Sequence, residues 1–131
     1  MNAAGTRLLL IEDHAGLAEA TQEFLQSGGF EVRLAASGRE GLTASIAFQP
    51  DIVLCDLHLS DMDGVDVLSA LRRNPVMGRV LLVIHTASWI PLGHPLQGPE
   101  ADLLVPKPID NEKIAMLRAE LQRLRGEMPG Q

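Results

Sequence analysis

The sequence predicts an α/β domain built on a doubly wound, five-stranded parallel sheet. Two observations predict it. Short apolar runs alternate with helical stretches along the chain, as in a parallel sheet covered on both faces. Most of these runs also stop at a polar residue able to do chemistry: Glu12 and Asp13, then Asp56, Thr86 and Lys107.

The elements follow in order. Arg7–Ile11 is an apolar strand closing on Glu12-Asp13. Ala15–Ser27 reads as a helix with Leu17, Ala20 and Phe24 on one face, His14 at its start and Gly28-Gly29 as its stop. Glu31–Ala35 alternates and is β-branched at Val32, so it suggests a half-buried or edge strand. Gly38–Phe48 is a second helix, ended by Pro50. Ile52–Cys55 is a fully apolar strand closing on Asp56, and Val65–Arg73 is a third helix ended by Asn74-Pro75. Val80–His85 is an apolar strand closing on Thr86, and Asp102–Val105 is a short one before Lys107. Asp110 caps a last helix to about Arg125, with Ile114, Leu117, Leu121 and Leu124 on one stripe. A further helix is expected between Thr86 and Lys107. Three prolines and two glycines in residues 88–99 predict that it is short or replaced by a Pro/Gly-rich loop.

The chain has 131 residues, about one domain's worth. A core domain over 7–125 is expected, with tails at 1–6 and 126–131. Hydrophobic residues make up 46%, enough for a buried core. The formal net charge of −6 argues against nucleic-acid binding through this domain, because phosphate contacts need net positive charge. A single cysteine forms no intrachain disulfide, which points to a reducing compartment. Leu8–Ile11 and Val80–Ile84 are the longest apolar stretches and are far too short to span a bilayer. The first residues lack the charged and apolar regions of a signal peptide. The expectation is a soluble cytoplasmic protein with no membrane partner.

In open α/β sheets, ligands bind beyond the carboxyl ends of the strands. Glu12, Asp13, Asp56, Thr86 and Lys107 therefore fall on one rim. Taken singly, each has a bland reading: an acidic pair at a helix N-terminus, a strand-end turn residue, a solvated lysine. Together they describe a site. Three carboxylates repel one another, and hard oxygen ligands suit Mg²⁺. A carboxylate such as Asp56 can attack phosphorus and form an acyl phosphate. Lys107 would supply a compact positive charge for phosphate oxygens and Thr86 a hydroxyl donor.

These residues resemble the receiver domain of two-component response regulators, a flavodoxin-like (CheY-like) fold. The resemblance covers residues 7–125 and rests on Glu12-Asp13, on Asp56-Leu57-His58-Leu59-Ser60-Asp61-Met62-Asp63-Gly64, on Thr86-Ala87 and on Lys107-Pro108. It implies Asp56 as phospho-acceptor from a histidine kinase or phosphotransfer protein. It implies Asp13 and Asp56 as direct Mg²⁺ ligands, Glu12 as a ligand through water, and the His58 backbone carbonyl as a further ligand. Thr86 would be the switch hydroxyl and Lys107 the phosphate-binding lysine. His58, Ala87 and Ser88 would be modulating positions, and Pro108 a cis-proline. The phosphorylated surface would engage a downstream protein partner, and a weak homodimer is compatible with this. The domain would assist its own phosphorylation and dephosphorylation without being a turnover enzyme.

The sequence also departs from the family pattern. Ser60 stands where proline is usual and Leu59 where methionine is common, with no expected effect on chemistry. Leu104 replaces the aromatic switch residue. Pro106 removes a backbone donor near the end of the fifth strand and is expected to limit pairing there. Leu104 and the altered fourth helix favour an alternative, a docking module independent of phosphorylation. Asp61-Met62-Asp63-Gly64-Val65 also matches the signature of haloacid dehalogenase-like phosphatases, but no apolar strand immediately precedes Asp61; the competing reading is a turn with a helix cap. Cys55 is expected to be buried, Trp89 to pack on the core, and no histidine side chain to bind metal.

Overall fold

The computed structural model describes residues 5–87 and 101–126. Five parallel strands form one sheet in the order β2-β1-β3-β4-β5: β1 Arg7–Ile11, β2 Glu31–Ala35, β3 Ile52–Cys55, β4 Leu81–Thr86 and β5 Leu103–Pro106. Among the described residues four α-helices cover it: α1 Ala15–Ser27, α2 Gly38–Phe48, α3 Gly64–Arg72 and α4 Asn111–Leu124.

The burial of the strands explains their sequences. Every residue of central β3 and β4 is buried, so neither shows alternation. Edge strand β2 alternates instead. Opposite faces of the sheet feed two cores. Leu9, Ile11, Val53, Cys55, Leu82 and Ile84 pack with α2 and α3 residues such as Phe48, Val67 and Leu71. Leu8, Leu10, Ile52, Leu54, Leu81 and Val83 pack with Leu25 of α1 and with Ile114, Leu117 and Leu121 of α4. Helices on both faces make the sheet doubly wound, as expected.

Local signals set the helix ends. Ser37 Oγ accepts from Glu40 N at 3.0 Å at the start of α2, while Glu40 Oε1 accepts from Ala36 N at 3.2 Å. Asp110 Oδ1 accepts from Lys113 N at 2.9 Å at the start of α4. His14 caps α1, its Nδ1 accepting from Leu17 N at 3.2 Å. Gly29, with φ of 100°, turns the chain after α1 in a conformation that favours glycine.

The structure corrects several boundaries. Helix α3 starts at Gly64 and ends at Arg72, and a 3-10 turn at Pro75–Met77, capped by the Asn74 side chain, follows it. Strands β4 and β5 each lie one residue later than the sequence suggests. Val80 is apolar and buried, yet the ladder with β3 begins at Ile52↔Leu81. Pro106 belongs to β5, opposite Thr86. In a parallel pair the residue after the opposed one donates, as Asp56 N does to Ile11 O with Ile11 opposite Cys55, and Lys107 N likewise donates to Thr86 O at 3.0 Å. Pro106, on edge strand β5, therefore takes no donor from the pairing with β4, which corrects the expectation that it limits pairing there. The expected fourth-helix region, with Ser88, Trp89 and His94, lies outside the described residues.

Candidate functional site

The sheet register assembles the rim. Ile11 lies opposite Cys55, and Cys55 opposite Ile84. The next row therefore brings Glu12 beside Asp56 and Asp56 beside His85. This is where the strand order reverses, because β2 lies on one side of β1 while β3, β4 and β5 follow on the other. Glu12 N donates to Ala35 O and Asp56 N to Ile11 O, both at 3.0 Å, which fixes the backbone of each acidic residue one step beyond its strand.

Glu12, Asp13 and Asp56 each offer a carboxylate oxygen, and these oxygens lie within 4.8 Å of one another. Glu12 is buried, and Asp13 and Asp56 are half-buried. Lys107 Nζ donates to Glu12 Oε1 at 2.5 Å and lies 3.4 Å from Asp56 Oδ2. Three carboxylates and one ammonium carry a formal charge of minus two. Hard oxygen donors with that residual charge fit a divalent cation such as Mg²⁺, which commonly takes one or two carboxylates and keeps several waters.

Thr86 ends β4 on the same rim and is buried. Lys107 follows β5 directly, and the Lys107–Pro108 peptide bond is cis. His58 is exposed in the β3–α3 loop, where it forms an isolated bridge with Asp63. Ala87 is exposed beside Thr86, and Ser88 falls outside the described residues. Leu104 packs against the core beneath α2 and α3.

Close packing and hydrogen bonds hold the β3–α3 loop. Gly64 N donates to Leu57 O at 2.7 Å, and a Cβ at Gly64 would overlap the Asp56 carbonyl oxygen. Asp61 accepts Gly38 N and Arg39 N, each at 2.9 Å, one on each carboxylate oxygen. These bonds hold the Asp61 carboxyl below the usual carboxylate range. Both oxygens thus serve the N-terminus of α2, and β3 ends at Cys55, so the structure overturns the phosphatase reading of Asp61 in favour of a helix cap.

One contact and one buried group went unread in the sequence. Ser60 N donates to Asp13 Oδ2 at 2.8 Å, a backbone contact with the acidic rim. The only signal was the missing proline, because serine keeps an N–H. His85 is buried with Nε2 unpartnered, and burial first, then Lys107 and Lys113, pushes its pKa down to about 4. Cys55 is buried as expected, and burial first, then Asp56, pushes its thiol pKa up.

Comparison with known proteins gives a consistent picture. The model of the response regulator receiver domain matches residues 8–118. The DNA-binding response regulator MtrA of Mycobacterium tuberculosis is 33% identical over 124 residues, covering 94% of this chain and 54% of that protein. The cell cycle transcriptional regulator CtrA of Caulobacter vibrioides is 33% identical over 121 residues, covering 92% and 52%. The chain thus spans about half the length of these curated relatives. Among solved structures, a response regulator receiver domain from Methylobacillus flagellatus superposes with a TM-score of 0.73 at 30% identity, covering 91% of this chain and 98% of that one. A receiver domain protein from Methanospirillum hungatei gives a TM-score of 0.77 at 24% identity, covering 92% and 97%.

Proposed function

The chain belongs to the response regulator receiver domain family of two-component systems, and from that premise we propose that it takes a phosphoryl group onto Asp56 from a histidine kinase or a phosphotransfer protein. The observation that carries this reading is the convergence of Glu12, Asp13, Asp56 and Lys107, distant in sequence, on one rim.

In the proposed step an Asp56 carboxylate oxygen attacks phosphorus. A P–O bond to Asp56 forms as the P–N bond to the donor imidazole breaks, and the electron pair leaves with that imidazole. Glu12, Asp13, Asp56 and the His58 carbonyl would hold Mg²⁺, which when bound offsets charge on the transferred phosphoryl oxygens. Lys107 Nζ, already 3.4 Å from Asp56 Oδ2, turns to a phosphate oxygen, and the Thr86 hydroxyl donates to another. The new charge then biases the surface that a downstream protein partner reads.

The receiver unit is taken as residues 7–125, working in the cytoplasm. It is a signalling module that assists its own phosphorylation and dephosphorylation. Its formal charge of −6 argues against nucleic-acid binding through this domain, which spans 54% of the length of the DNA-binding response regulator MtrA.

Incubation with Mg²⁺ and a small-molecule acyl phosphate tests the reading. A phospho-specific mobility shift, abolished by Asp56→Asn, is expected. Absence of a shift would favour the docking module independent of phosphorylation, which the packed Leu104 in place of an aromatic supports.

A further inference from the structure

The bond from Ser60 to Asp13 joins residues 47 positions apart and ties the β3–α3 loop to the acidic rim. Its donor is a backbone N–H, so any residue except proline could make it. The donor's aim is set from both sides. Upstream, Asp56 N is anchored to Ile11 O at 3.0 Å. Downstream, Asp61 is clamped to Gly38 N and Arg39 N, each at 2.9 Å, and Gly64 N to Leu57 O at 2.7 Å. A loop held at these points has little freedom to turn Ser60 N away from Asp13.

The bond engages Oδ2 of Asp13 and leaves Oδ1 free of it. A carboxylate held through one oxygen loses less rotamer entropy when the other meets a cation. Hydrogen-bond partners of ligating groups typically carry about 10–100-fold in metal affinity. Ser60 is exposed, which places its share at the lower end of that range.

We infer that Ser60 is a positioning residue whose backbone N–H orients the Asp13 carboxylate for a divalent cation, a role that proline at this position removes. The inference rests on the cation site of the proposed function and adds a donor that the usual motif lacks.

Calorimetric titration of the whole chain with Mg²⁺ tests it through two substitutions. Ser60→Ala keeps the N–H, and with it the affinity. Ser60→Pro removes the N–H and weakens Mg²⁺ binding about tenfold. Thermal melting without Mg²⁺ reports whether Ser60→Pro is folded. A second measurement does not need that variant: the Ser60 amide proton resonance of the otherwise native chain moves upfield in Asp13→Ala, because its carboxylate acceptor is gone. Ser60→Pro binding Mg²⁺ as tightly as the native chain, Ser60→Ala losing as much as Ser60→Pro, or an unmoved Ser60 resonance in Asp13→Ala would each overturn this inference alone. A native chain that binds no Mg²⁺ would overturn the cation site as well.

Discussion

Lys107 Nζ lies 2.5 Å from Glu12 Oε1, with the lysine side chain 10% exposed and the glutamate 3%. Residues 95 positions apart thus form a buried ion pair at the switch point of the sheet. Water screens such a pair poorly, so each partner depends on the other. Asp13 and Asp56 add two further carboxylates, so Lys107 offsets only part of the charge on the rim.

Lys107→Ala is therefore expected to destabilise the domain by about 3–5 kcal/mol, the usual cost of stranding a buried charge. Mg²⁺ should restore more stability to this variant than to the native chain, because a second cation then meets the same carboxylates. Urea denaturation with and without Mg²⁺ measures both effects.

His85 predicts an acid-sensitive stability. Its folded-state pKa of about 4 lies below the ordinary value of 6.5. Between those values the unfolded chain binds more protons than the folded one, so stability rises with pH across that window and is lost as pH falls. From pH 7 to pH 5 the loss is about 2 kcal/mol. His85→Leu removes the buried imidazole and should flatten this part of the urea-midpoint curve against pH.

The fold was largely legible because the signals were local. Ile52-Val53-Leu54-Cys55 reads as a strand because both of its faces are buried, and Ser37 and Asp110 mark helix starts by side-chain chemistry that needs no neighbour from afar. The candidate site was legible because strand ends of a parallel sheet share a rim, so Glu12, Asp56, Thr86 and Lys107 could be grouped before any distance was known. What escaped depends on register and loop path. Every residue but proline carries an N–H, and only the bracing of the loop by Asp61 and Gly64 aims that of Ser60 at Asp13. Val80 looks like a strand residue because it is buried, but burial does not guarantee a ladder partner.

Gly64 is expected to resist any side chain. A Cβ there would overlap the Asp56 carbonyl and crowd Leu57 Cα at 3.0 Å, and backbone atoms cannot rotate aside. Gly64→Ala should cost about 2–3 kcal/mol by overpacking. It should also weaken Mg²⁺ binding, because the start of α3 can relax only by pushing on the residue that carries the proposed phospho-acceptor. Thermal melting and calorimetric titration read the two consequences separately.

Asp61 and Asp56 lie five positions apart and should respond in opposite ways to loss of the carboxylate. Asp61 spends both oxygens on the N–H groups of Gly38 and Arg39, so Asp61→Ala leaves two donors at the start of α2 without their acceptor. The melting temperature should fall. The acid limb of the native stability curve should shorten in the variant, because a carboxyl held below its ordinary pKa contributes stability that is present above the unfolded value and lost as pH falls through the folded one. Phosphoryl acceptance should survive, since the attacking oxygen belongs to Asp56. In Asp56→Asn the phospho-specific shift should vanish while the fold persists, because the hydrogen bond that Asp56 gives to Ile11 comes from its backbone N–H and not from its carboxylate. A mobility-shift assay of the two variants beside their melting curves would separate the roles, and loss of acceptance in folded Asp61→Ala would show that the clamp on α2 is needed for the chemistry.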